Sequence, residues 1–175
     1  LVNSEIRKKI KRIKKKNKII DVNKQNSLIK NLDFSLTNDQ KNALNEINKD
    51  LSSSNKMFRL LQGDVGSGKT IVSLLAALNT INSGFQVAIM APTEILARQH
   101  FNLAKKIFPK YINLELISGK SEYRVKKEIL KNLENNKIDI IFGTHAIFQK
   151  KVIFRKLGLI IIDEQHKFGV NQRKR

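Results

Sequence analysis

Eight residues constrain this chain more than any others: Gly63-Asp64-Val65-Gly66-Ser67-Gly68-Lys69-Thr70. They fit G-x-x-x-x-G-K-[ST] at every fixed position. Before them stands Met57-Phe58-Arg59-Leu60-Leu61-Gln62, a short apolar run that reads as a buried strand. After them, Ile71 to Leu78 has the composition of a buried helix. A glycine loop between strand and helix curls so that successive N–H groups converge on one centre, and the helix N-terminus adds partial positive charge. In that geometry Gly63, Asp64, Gly66, Ser67 and Gly68 form a phosphate cradle. Lys69 reaches the β- and γ-phosphates, and the Thr70 hydroxyl holds Mg²⁺. The pattern predicts a nucleoside triphosphate site.

The rest of the chain alternates between strand and helix patterns. Thr37-x-x-Gln40 is a capping box, opening a helix with apolar positions Ala43, Leu44, Ile47 and Leu51. A second role is open to Gln40, since an amide this far ahead of a phosphate loop could read an adenine edge. Asn82-Ser83-Gly84 stops the loop helix, with Gly84 as its left-handed cap. Phe85 to Ala91 reads as a strand broken by Pro92, and Thr93 caps a helix reaching Ile107. Tyr111 to Ser118 alternates as a strand, and Ser121 to Asn135 returns to helix. Ile138 to Phe142 and Leu157 to Ile162 are apolar strands. Such strands imply a mostly parallel sheet with helices on both faces, an α/β fold whose ligands sit at the carboxyl ends of strands.

Those ends collect the candidates for chemistry. An apolar strand ending in Asp163-Glu164 is what a phosphate-loop enzyme needs: Asp163 for Mg²⁺ through water, Glu164 to orient and deprotonate the attacking water. Alone, the pair would read as an acidic turn. His166 suits coupling, or is a polar turn residue. Pro92-Thr93-Glu94, Ser118-Gly119 and Gly143-Thr144 offer hydroxyls, backbone N–H groups and helix N-termini, which grip phosphate oxygens without reading base sequence. Thr93 also has an adequate role as a helix cap.

Charge identifies a class of partner. Thirty-four Lys and Arg against 15 Asp and Glu leave +19, which favours a polyanion, most often nucleic acid. The most basic part is residues 1–25, where Val2, Ile6, Ile10 and Ile13 recur at helical spacing. It reads either as a phosphate-tracking arm or as a solvated charged helix. Asp21 to Asn31 reads as a polar connector. With no cysteine, disulfides and thiolate metal sites are excluded, which suits a reducing cytoplasm. No apolar run approaches the roughly 18 residues of a membrane span, and the N-terminus carries no secretory pattern.

Four blocks carry a resemblance. They are Leu61 to Thr70, Ala91-Pro92-Thr93-Glu94-Ile95-Leu96-Ala97-Arg98-Gln99-His100, Gly143-Thr144-His145-Ala146, and Asp163-Glu164-Gln165-His166-Lys167-Phe168-Gly169-Val170-Asn171-Gln172-Arg173. From about Phe34 onward the chain resembles the first motor lobe of superfamily 2 helicases, most closely the RecG-type ATP-dependent DNA helicases. The resemblance implies a RecA-like lobe over residues 34–175, preceded by a basic helical connector over residues 1–33. It implies ATP and Mg²⁺ at Gly63, Gly66, Gly68, Lys69, Thr70, Asp163 and Glu164, with Gln40 on the adenine side. DNA-tracking loops are implied at Pro92-Thr93-Glu94, Ser118-Gly119 and Gly143-Thr144. The implied activity is remodelling of stalled forks and Holliday junctions in recombination and repair. The family's wedge domain and second motor lobe, with its arginine finger, have no counterpart in these residues, so little hydrolysis is expected from them alone. Transcription-repair coupling translocases are close cousins but carry Glu-Glu-Gln-Arg where this chain has Glu164-Gln165-His166-Lys167. A nucleotide-switched binding module that never hydrolyses is the third reading.

Overall fold

The structure is a computed structural model describing residues 16–64, 66–119, 121–149 and 151–163. They fall into two compact units, divided in the chain between Ser83 and Gly84.

The first unit is helical: α1 (Val22–Lys30), α2 (Asn38–Ser52) and α3 (Lys69–Asn82). Thr37 and Gln40 form the expected capping box, with Gln40 N–H on Thr37 Oγ1 at 3.2 Å and Thr37 N–H on Gln40 Oε1 at 2.9 Å. α2 buries Leu44, Ile47 and Leu51, and α3 packs against both α1 and α2. An amide chain links the three, Asn79 donating to Asn48 at 2.9 Å and Asn48 to Gln25 at 3.2 Å.

Two expectations change here. Asp21 to Asn31, read as a connector, holds α1: Asp21 accepts from Lys24 N–H at 3.0 Å as its N-cap. Only Gln25 and Leu28 of α1 are buried, too little apolar signal to show as a period. Met57 to Gln62, read as a buried strand, forms no strand, and Phe58 and Leu60 are 50% and 63% exposed. An apolar run becomes a strand only where a neighbour completes its hydrogen bonds. Instead Arg59 holds the segment along α2, pairing with Glu46 at 2.6 Å and Asp50 at 2.8 Å.

The second unit is the sheet, with β1 (Gln86–Met90), α4 (Glu94–Ile107), β2 (Leu114–Leu116), α5 (Tyr123–Glu134), β3 (Ile140–Gly143) and β4 (Leu157–Ile162). Strand order is β2-β3-β1-β4 and every pairing is parallel. Ala88 pairs with Ile141 and Ile89 with Phe142, so consecutive residues face opposite sides. Phe142 meets Phe101 of α4 edge-on, with ring centroids 5.7 Å apart. Ile141 clusters with Ile129 and Leu133 of α5. Both faces of the sheet are covered at β1 and β3, whose residues are all buried, whereas apolar β4 leaves Leu157, Ile160 and Ile162 exposed. Inside it, Gln86 satisfies its whole amide: Nε2 donates to the Leu133 and Ile138 carbonyls, and Oε1 accepts from Lys156 N–H.

Candidate active site

In the first unit, Gly66 and Gly68 both adopt left-handed backbone, at φ +84° and +78°. Ser67 N–H closes the loop on the Asp64 carbonyl at 3.1 Å. Gly68 is the N-cap of α3, and no side chain caps that end. Left-handed glycines ahead of an uncapped helix are what an anion cradle requires. Lys69 Nζ donates to the Gly63 and Asp64 carbonyls, at 2.7 Å each, and so holds its charge against the loop. Thr70 occupies the first turn of α3 and is partly exposed.

Gln40 braces the loop as well as capping α2. Its Nε2 donates to the Ser67 carbonyl at 2.8 Å. A Cβ on Gly68 would collide with that same Nε2, and one on Gly63 would lie 2.7 Å from Ser67 Oγ. Each end of the Gln40 amide thus has a partner, and its place is set by the loop as much as by any base.

In the second unit the remaining candidates stand at the carboxyl ends of the strands. After β1, Thr93 caps α4, accepting from Leu96 N–H at 3.3 Å. Glu94 accepts from Ser118 Oγ at 2.8 Å and from Gly119 N–H at 2.5 Å. Lys126 donates to the Gly119 carbonyl at 2.7 Å. Thus Pro92-Thr93-Glu94 and Ser118-Gly119, from different strand ends, form one assembly. Ser118 is buried and Gly119 exposed, so Gly119 is the half of that turn a phosphate could approach. A carboxylate repels phosphate, and the place the structure gives Glu94 is holding the turn. At the end of β3, a Cβ on Gly143 would meet Ile147 Cγ2 at 2.7 Å and Ile117 Cγ2 at 2.8 Å. Thr144 leads from it into a short 3₁₀ turn, His145–Phe148.

After β4, Asp163 N–H donates to the Met90 carbonyl at 2.9 Å. Its Oδ2 lies 2.7 Å from Nε2 of His100 on α4, the pair being 25% and 12% exposed. Sequence reading gave His100 no role, because its partner is 63 positions away and no spacing rule links them. Glu164 and His166 lie outside the described residues.

A model of the DEAD/DEAH box helicases matches residues 37–175, and the chain belongs to that family. Its lobe is of the RecA-like α/β kind. Within the family it is similar to the ATP-dependent DNA helicase RecG of Staphylococcus epidermidis, 47% identical over 154 residues, or 88% of this chain and 23% of that protein. RecG of Thermotoga maritima is 51% identical over 147 residues, or 83% of this chain and 19% of its own length. A solved structure of RecG bound to a three-way DNA junction superposes with a TM-score of 0.86 at 46% identity, covering 94% of this chain and 23% of that one. The UvsW helicase from bacteriophage T4, at a TM-score of 0.60 and 18% identity, shares the fold. The chain spans less than a quarter of the RecG proteins it matches.

Proposed function

We propose that this chain is the ATP-binding motor lobe of a RecG-type helicase that remodels branched DNA, such as stalled forks and Holliday junctions. The observation that carries the reading is the phosphate loop, with its two left-handed glycines and a lysine held against two of its carbonyls. Similarity to a RecG solved on a three-way junction supports the substrate class. Lys69 exchanges those carbonyls for phosphate oxygens when ATP enters. The Thr70 hydroxyl and the Asp163 carboxylate are hard oxygen donors suited to Mg²⁺, which when bound neutralises charge on the phosphates. Glu164 orients and deprotonates the attacking water, and His166 couples the site to the rest of the motor. Gly119, Thr93 and the Gly143-Thr144 turn meet the DNA backbone. A second lobe supplies an arginine finger, contributing about 10³-fold or more in rate, and a wedge domain engages the branch.

The test is nucleotide binding and turnover by the chain, with and without forked DNA. ATP–Mg²⁺ binds, and Lys69→Ala weakens it by about 10-fold or more, the loss of a charge-assisted contact. Turnover is near background and rises with DNA only when a RecG second lobe is supplied. Vigorous DNA-stimulated turnover by these residues alone would show that no second lobe is needed. Absence of nucleotide binding would end the motor reading.

A further inference from the structure

Two contacts made by α4 have no part in that reaction as described. Its first residue, Glu94, holds Ser118 and Gly119; His100, six residues on, holds Asp163. Ser118-Gly119 follows β2 and Asp163 follows β4, the two outermost strands of the sheet. Three strand spacings, about 14 Å, separate those edges, while six helical residues rise about 9 Å. One helix therefore ties the carboxyl ends of both edges together. It is a stiff tie: Thr93 caps it, Ala97, Ala104 and Ile107 are buried, and Phe101 packs edge-on against Phe142.

We propose that His100 is a positioning residue for Asp163, and that α4 carries the state of the Ser118-Gly119 turn to that carboxylate. The inference rests on the motor reading above. With Asp163 ionised, His100 Nε2 carries the proton and donates, so the orientation of the carboxylate follows the helix with no change of protonation. At the other end, the Gly119 N–H that a DNA phosphate would take is already given to Glu94. A phosphate arriving there competes for that donor and repels the carboxylate, displacing the first turn of α4. DNA then differs in its contacts with two positions of the helix, which is what a shift between them requires. Linkage makes the effect reciprocal: nucleotide bound at Asp163 alters the affinity for DNA by the same factor.

The experiment measures the affinity of the 175-residue chain for a non-hydrolysable ATP analogue with Mg²⁺, with and without saturating forked duplex. The quantity read is the ratio of the two affinities. For the unaltered chain that ratio is about 5-fold or more, the lower range of measured couplings. His100→Phe, which fills the site without a donor, brings it to near 1. His100→Gln, which keeps an N–H at similar reach, restores it, whereas a purely packing role would leave Gln no better than Phe. Glu94→Ala severs the other end without touching Asp163 and also lowers the ratio, which keeps the test decisive if His100→Phe fails to fold. Combined with His100→Phe it lowers the ratio no further. A ratio of 1 in an unaltered chain that binds both ligands overturns the inference, as does a ratio unchanged by His100→Phe or one that His100→Gln cannot restore. An unaltered chain that binds no nucleotide refutes the motor reading instead, and this inference falls with it.

Discussion

At Gly68 two independent constraints exclude a side chain. Its φ is +78°, and a Cβ would run into Gln40 Nε2. Gly66 shares the backbone constraint at φ +84°, but a Cβ there meets nothing within 4 Å. Gly66→Ala therefore costs about 1–2 kcal/mol of left-handed strain. Gly68→Ala costs that and also dislodges the Gln40 brace on Ser67. Urea denaturation should rank Gly68→Ala as the more destabilised, and nucleotide titration should show the larger affinity loss for it; equal effects would mean the Gln40 collision relaxes without consequence. Glu115, in β2, follows a different rule. Burial raises its carboxyl pKa, with repulsion from Glu128 adding and a hydrogen bond from Leu116 opposing. An acid whose folded pKa lies above its unfolded value destabilises the fold once ionised, so the penalty grows as pH rises through the raised pKa and vanishes below the unfolded one. Glu115→Gln should raise the melting temperature at pH 7 and leave it nearly unchanged below the glutamate range. A gain that persists at low pH would point to packing.

Individual elements differ in how much their own residues specify them. The start of α2 is a local matter: Thr37 and Gln40 satisfy each other's backbone N–H groups, and both were visible three positions apart in the sequence. Thr37→Ala should lower stability by about 1 kcal/mol, read as a shift in urea midpoint. Thr37 also places the residue that braces Ser67, so nucleotide affinity should fall with it. The sheet depends on partners. Leu133 is fully buried in the α5 side of the core, and Leu133→Ala should cost about 2–5 kcal/mol. Gln86 terminates two carbonyls and one N–H from three separate segments. Gln86→Leu should therefore cost about 3 kcal/mol despite its greater hydrophobicity, because buried groups are left unpaired. A neutral Gln86→Leu in the same denaturation experiment would mean that water replaces the amide.

Across the whole molecule, the net charge of +19 favours a polyanion, and on the motor reading it feeds the part of DNA affinity that does not depend on base sequence. Affinity for forked DNA should fall linearly on a log–log plot against salt, with a slope near −0.9 for each phosphate neutralised. Removing residues 1–15, which hold five lysines and two arginines, should reduce that slope. An unchanged slope would place the contacts elsewhere on the chain. The glycine loop opening α3, the capping box, the parallel α/β alternation and the placing of Asp163 at a strand end were all legible from sequence alone. Each is written over a few neighbouring residues, where backbone geometry and side-chain period act directly. Tertiary structure decided the rest. It gave Met57 to Gln62 no strand, since ladder hydrogen bonds belong to pairs of strands. It made a helix of Asp21 to Asn31's polar residues, because α3 offers Gln25 and Leu28 a place to bury. It also brought Glu94 to Gly119 and His100 to Asp163, contacts spanning 25 and 63 positions. No local period records such pairs; only the strand order β2-β3-β1-β4, with α4 lying across it, brings them within hydrogen-bonding distance.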